Sequence, residues 1–303
     1  MLDTVLAGVS TSRIGFGCGR LVGGAAMKQS RLLVETALNL GIRHFDTAPS
    51  YGLGSSEDVL GAVLEGEGDV TVVTKVGQAR PSAPGLKAFA RQALRPLLTR
   101  APALRARLAK ATAPGGAPSY SPGATEASLA DSLTRLRRSC VTATLLHEID
   151  AQSLTPDVAR AMHEQRDLGR TLALGSGTGA GLDGLVPFGT ISQYRWQPEV
   201  TDCPAGDVIL HGALRQFPQP DRFSASQIDG LRALGREPSD PQCWAGVAQT
   251  LALATHRAAI LLVSTTSPQR LVAGVKAIDW TIVGSPDDSA VATMRAVLSD
   301  MPA

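Results

Sequence analysis

Short β-branched or aliphatic runs alternate along this chain with stretches whose apolar positions recur every three or four residues. The runs are RIGFGCG (13–19), IRHFDTA ending near Ala48, VTVVTKVG, TATLLHEI, TLALG, TISQYRW, DVILHGA and AILLVST. Each is four to eight residues of mainly β-branched or aliphatic character, the mark of a strand buried on both faces. Helical spacing predicts helices between most of them: 31–40 with Gly41 closing it, 56–64 with Ser55 as N-cap, then 126–138, 156–168, 243–256 and 268–278.

This alternation predicts an α/β chain with a parallel sheet. Eight strands with intervening helices fit a closed (β/α)8 TIM barrel better than an open sheet. An open dinucleotide-binding sheet should carry GxGxxG after its first strand, and the first run here leads instead into GRLVGGA. No internal repeat and no linker divides the chain, so residues 1–303 read as a single barrel domain.

One stretch breaks the pattern. Residues 78–125, directly after the third strand, hold eight basic residues (Arg80, Lys87, Arg91, Arg95, Arg100, Arg105, Arg107, Lys110) and no acidic one. The rest carries 21 positive against 27 negative charges, so a mildly acidic body bears a long basic insert. Pro96 and Pro102 interrupt its apolar helical face, and GGAPSYSPGA reads as flexible coil. Three roles stay open: a lid that selects substrate, a passive insert, or a basic segment that docks a partner or a membrane surface.

The net charge of +2 gives no reason to expect nucleic acid or an anionic membrane as a global partner. Four scattered cysteines without CxxC read as free thiols. The N-terminus lacks a basic, apolar leader, so a cytoplasmic protein is expected. No metal-ligand spacing is present, and oligomeric state has no signature. His44, His163 and His256 read as structural.

Four polar residues fall where strands end, at the rim on which a parallel barrel holds its chemistry. Asp46 closes IRHFD, Tyr51 follows in the next loop, Lys75 closes VTVVTK and His147 closes TATLLH. Together they resemble the aldo-keto reductases. GIRHFDTAPSYGLGSSEDVLG is similar to that family's signature around a catalytic Asp and Tyr, VVTKVG to its Lys strand and LLHEID to its His strand. The resemblance runs from Arg13 to about Ile278, the insert excepted.

The resemblance implies Tyr51 as proton donor, made more acidic by Lys75, with Asp46 holding Lys75 charged and His147 donating to the substrate oxygen. It implies a nicotinamide dinucleotide as hydride source, because no side chain can supply one. Ser176 and Gln193 then stand at the carboxamide positions, with Gly177 where the family usually has Asn, and His211 stands at the ring-stacking position. Thr265 and Arg270 in VSTTSPQRL match the 2′-phosphate grip, with Ser264 where many members have Lys, and Ala273 and Gly274 where Glu and Asn often hold the adenine. The expected cofactor is NADPH, with NADH as the other candidate. The expected activity is reduction of a small-molecule aldehyde or ketone, or oxidation of the matching alcohol or aldose. The alternative is a cofactor-binding redox-sensing or regulatory protein on the same barrel with little turnover.

Overall fold

The structure, a computed structural model, describes residues 1–81, 118–214, 224–240 and 242–299. Lys87, Arg91, Arg95, Arg100, Arg105, Arg107, Lys110 and the two prolines of the basic insert lie outside the described residues.

The chain opens with a hairpin that hydrophobic patterning alone did not announce: β1 (Asp3–Leu6) pairs antiparallel with β2 (Val9–Ser12). Ala7 and Gly8 turn it, both at positive φ, as a two-residue hairpin loop requires. Leu6 is fully buried against the inner core, and the Ala7 amide donates to Asp207 Oδ2 (2.7 Å) at the start of a barrel strand. The hairpin thereby closes the N-terminal end of the barrel.

All eight apolar runs are strands. They are β3 (Ile14–Gly17), β4 (His44–Asp46), β5 (Thr71–Val76), β6 (Val141–His147), β7 (Thr171–Gly177), β8 (Ile191–Arg195), β9 (Asp207–His211) and β10 (Ile260–Val263). They pair parallel in chain order, and β10 returns to β3 to complete a closed barrel. Val73, Ala143, Leu145, Ala173, Ile191, Ile209, Ile260 and Leu262 fill its interior. The alternate residues, such as Phe16, Phe45, Leu146, Leu174 and Leu261, join the larger outer core. Because both faces are covered, the strands read as continuous apolar runs rather than as alternating ones. Truncating fully buried Phe45 to Ala would cost about 3 to 5 kcal/mol.

The helices are α1 (Met27–Asn39), α2 (Ser56–Val63), α3 (Pro122–Leu136), α4 (Pro156–Asp167), α5 (Ala225–Ala233), α6 (Cys243–Thr255), α7 (Pro268–Lys276), α8 (Trp280–Gly284) and α9 (Asp288–Ser299). Ser121, Thr155 and Ser267 cap α3, α4 and α7 through their hydroxyls, each followed by Pro at the first helical position.

Several expected boundaries move. The helix expected from 126 begins at Pro122, so the SPGA taken for coil is a cap and a first turn. Ser55 occupies the N-cap of α2 without capping it: its hydroxyl donates to Gly52 O (2.7 Å) and accepts from Gly23 N (2.8 Å). The 3-10 turn before it leaves Ser55 with helical rather than extended backbone, which aims the hydroxyl backward. His256 ends α6 as its C-cap instead of lying within it. Among the described residues no helix is long and apolar enough to cross a membrane.

Candidate active site

Strand parity decides what reaches the barrel mouth. Val73 lies in the inner core, so Lys75, two residues on, points inward as well; Ala143 and Leu145 put His147 on the same side of β6. Asp46 is the last residue of β4, next to β5 in the barrel. Tyr51 arrives from the loop after β4, where residues 51–54 form a 3-10 turn with Gly52 and Leu53 left-handed. A Cβ at Gly52 would run into the carbonyl of Leu21, so that close approach requires glycine.

These four groups meet. Lys75 Nζ lies 2.7 and 2.8 Å from the two carboxylate oxygens of Asp46 and 3.1 Å from Thr47 O. Both partners of this ion pair are almost completely buried. The same ammonium lies 4.8 Å from the centre of the Tyr51 ring. The Tyr51 ring meets His147 edge-on, centroids 5.8 Å apart at 84°.

Burial works against the Lys75 ammonium, but Asp46 and Tyr51 outweigh it and hold its pKa above the ordinary lysine value. For Tyr51 the balance differs from the sequence expectation. Lys75 does pull the phenol toward acidity, yet burial is the larger effect and the net shift is upward. The reason is that Lys75 shares its charge with Asp46, which itself opposes ionisation of the phenol. Tyr51 therefore keeps its proton throughout the neutral range. His147 is pushed down to about 3, by burial first and by the Lys75 cation second, so its imidazole is neutral. Its Nδ1 is buried without a partner among the described residues.

The residues assigned to a cofactor are less uniformly placed. Gln193 faces the interior, but its Nε2 donates to Asp46 Oδ2 at 2.8 Å. Ser176 sits between inward-facing Gly175 and Gly177, hence on the outer face of β7, where its hydroxyl donates to Val186 O at 2.5 Å. His211, at the end of β9, has Nε2 2.8 Å from Thr178 O and adds to the field at His147. Thr265 Oγ1 accepts from Ser267 N (3.1 Å), and Arg270 is exposed on the first turn of α7. Ser264 donates to Gly17 O (2.8 Å).

Two contributors were missed. Glu57 is wholly buried; Oε1 accepts from Thr74 Oγ1 (2.6 Å) and Oε2 from Arg80. Arg80 also bonds Asp131 (2.9 Å) and the carbonyls of Pro49 (3.3 Å) and Gly54 (2.7 Å), which bracket Tyr51. Arg80, counted from the sequence among eight basic residues with no acid in the insert, is thus paired with acids outside it. The available signal was the pair of acids, Glu57 and Asp58, on the first turn of a helix whose remainder is apolar.

The aldo/keto reductase family matches residues 13–178, more than half of the chain, and the chain belongs to that family of oxidoreductases. It is 38% identical over 77 residues to the D-threo-aldose 1-dehydrogenase of a Pseudomonas species, covering 24% of this chain and 23% of that protein. It is 40% identical over 62 residues to aldo-keto reductase YhdN of Bacillus subtilis, covering 19% of each. The matched stretches thus span less than a quarter of either relative. Its fold is similar to the holo form of an aldo-keto reductase from Bacillus halodurans, with TM-score 0.70, 18% identity and coverage of 98% of this chain and 96% of that one.

Proposed function

We propose that the chain reduces an aldehyde or ketone, or oxidises the matching alcohol or aldose, with NADPH or NADH as hydride partner and Tyr51 as proton donor. The observation that carries this reading is the buried line Asp46–Lys75–Tyr51 standing beside a neutral His147. A carbonyl that accepts hydride becomes an alkoxide and must be protonated. Tyr51 holds a proton at neutral pH, and Lys75 stabilises the phenolate left behind. Neutral His147 can donate one N–H to the developing oxyanion. Asp46 keeps Lys75 charged in a site where burial alone would discharge it.

The residues present fit a dinucleotide unevenly. Exposed Arg270, on the first turn of α7, suits a 2′-phosphate, because both a guanidinium and a helix N-terminus attract one. At the other end the faces of His211 suit a nicotinamide ring, and Gly177 leaves space beside Gln193. The bound dinucleotide supplies the hydride; Arg270, Thr265 and His211 would hold it. The matched aldose dehydrogenase supports a sugar or a similar polyol as substrate class.

The test is multiple-turnover loss of nicotinamide absorbance with 4-nitrobenzaldehyde, and its gain with a panel of aldoses, using both cofactors. Many turnovers per active site are expected. Tight cofactor binding with less than one turnover would favour the regulatory reading instead.

A further inference from the structure

The insert after β5 leaves the barrel at Gly77 and returns through Ser119 and Tyr120 just before α3. At this stem the Ser119 amide donates to Gly77 O (2.9 Å). The Tyr120 ring is buried against Gly77, whose φ of +105° and missing Cβ are both needed: a Cβ there would run into the ring. The Tyr120 hydroxyl donates to the backbone carbonyl of His147 at 2.6 Å.

His147 is the last residue of β6, and the chain turns sharply after it. Glu148 is left-handed, at φ +59°, a conformation that L-residues other than glycine seldom adopt. The far side of that turn is held, since the Glu148 carboxylate accepts from Thr178 Oγ1 (3.0 Å) and Gly179 N (2.6 Å). Tyr120 holds the near side. The imidazole itself makes no such anchor: its Nδ1 is buried and unpartnered among the described residues. Its direction is therefore set by the backbone and by ring packing on Tyr51.

We propose that Tyr120 is a positioning residue for His147, and that the stem of the insert sets the aim of the group donating to the substrate oxygen. The inference rests on the proposed carbonyl chemistry for its effect on rate, but not for its effect on the imidazole. Tyr120→Phe removes only the hydroxyl and keeps the ring against Gly77. It is expected to lower kcat with 4-nitrobenzaldehyde about tenfold while the dissociation constant for NADPH stays unchanged. In a His147→Ala background the same substitution should have no further effect, because its target is gone. Equal losses in both backgrounds would overturn the proposal.

The second readout needs no turnover. With 15N-labelled histidine, the imidazole signals of His147, assigned by their loss in His147→Ala, should shift in Tyr120→Phe. They should stay put in Tyr194→Phe, which removes a buried tyrosyl hydroxyl on the outer face of β8. Unmoved His147 signals in Tyr120→Phe would overturn the positioning role. A protein that turns over no carbonyl at all, yet shows the shift, would sink the proposed function and leave this inference standing.

Discussion

Gln193 Nε2 donates to Asp46 Oδ2 at 2.8 Å, so the carboxylate that steadies Lys75 is itself steadied from the opposite side of the barrel. Oδ2 accepts from both neighbours, Lys75 and Gln193. A glutamine serving mainly the carboxamide of a cofactor would act on cofactor affinity; one serving Asp46 acts on the proton donor through Lys75. Gln193→Leu is therefore expected to lower kcat about tenfold with less than a threefold change in NADPH affinity, read by fluorescence titration. A larger loss of affinity than of kcat would return Gln193 to the cofactor.

Tyr51 carries the proton in the proposed reaction, and general acids of this kind typically contribute about 100-fold or more. Tyr51→Phe should lose at least that factor in kcat and still bind cofactor. Because burial raises its pKa, the reduction rate should stay flat from neutral pH to about 10, and the oxidation rate should climb with pH over the same range. A reduction rate falling between pH 7 and 8 would contradict the assignment.

Two buried histidines tie stability to pH. His44 is held down to about 4 and His147 to about 3, in both cases chiefly by burial. In the unfolded chain each titrates near 6.5, so the unfolded state takes up protons first as the pH falls. Their stabilising contribution is complete above pH 6.5 and is lost through pH 4 and then 3. For His44 alone the loss is roughly 3 kcal/mol. Urea midpoints should fall steeply from pH 6.5 to 4, and His44→Gln should shed about one proton of that dependence. An unchanged slope in the variant would place the titration elsewhere.

Arg80 and Glu57 form a pair whose loss is asymmetric. Glu57 is wholly buried and Arg80 mostly so, and Arg80→Met leaves a carboxylate with only the Thr74 hydroxyl for company. Breaking such a pair from one side costs about 3 to 5 kcal/mol. The double variant Arg80→Met, Glu57→Gln should recover much of that in denaturant unfolding. If the double variant is no more stable than the single, the charge of Glu57 is not what the arginine answers.

The eight strands and their closure were legible because a strand covered on both faces is mainly apolar, as most of the runs were, although Ile191–Arg195 carries Ser192, Gln193 and Arg195. The hairpin was not, because Asp3–Leu6 and Val9–Ser12 are short and partly exposed; their signal was the Ala7-Gly8 turn rather than apolar weight. The start of α3 was hidden by Pro122 and Gly123, which read as breakers although Ser121-Pro122 is a cap followed by a favoured first residue. The meeting of Asp46, Tyr51, Lys75 and His147 followed from strand ends. The partners of Ser176, Gln193 and Arg80 did not, since a one-residue difference in parity sends Ser176 to the outer face, and Arg80 answers residues brought to it only by folding.

In the proposed reaction, cofactor choice turns on Arg270. It is exposed, it stands on the first turn of α7, and the neighbouring Ser264 gives its hydroxyl to Gly17 O, so Arg270 is the cation that this segment offers a 2′-phosphate. A hydrogen bond to a charged group is worth about 1.5 to 3 kcal/mol, which is roughly ten- to a hundredfold in affinity. Arg270→Ala should weaken NADPH by that factor and leave NADH nearly unchanged, measured by titration at low ionic strength. Because the contact is exposed, raising salt from about 0.05 to 0.5 M should erode the NADPH preference of the parent protein and have little effect on the variant. Equal losses for both cofactors would mean that Arg270 supports α7 rather than the phosphate, and tighter binding of NADH by the parent protein would overturn the preference itself.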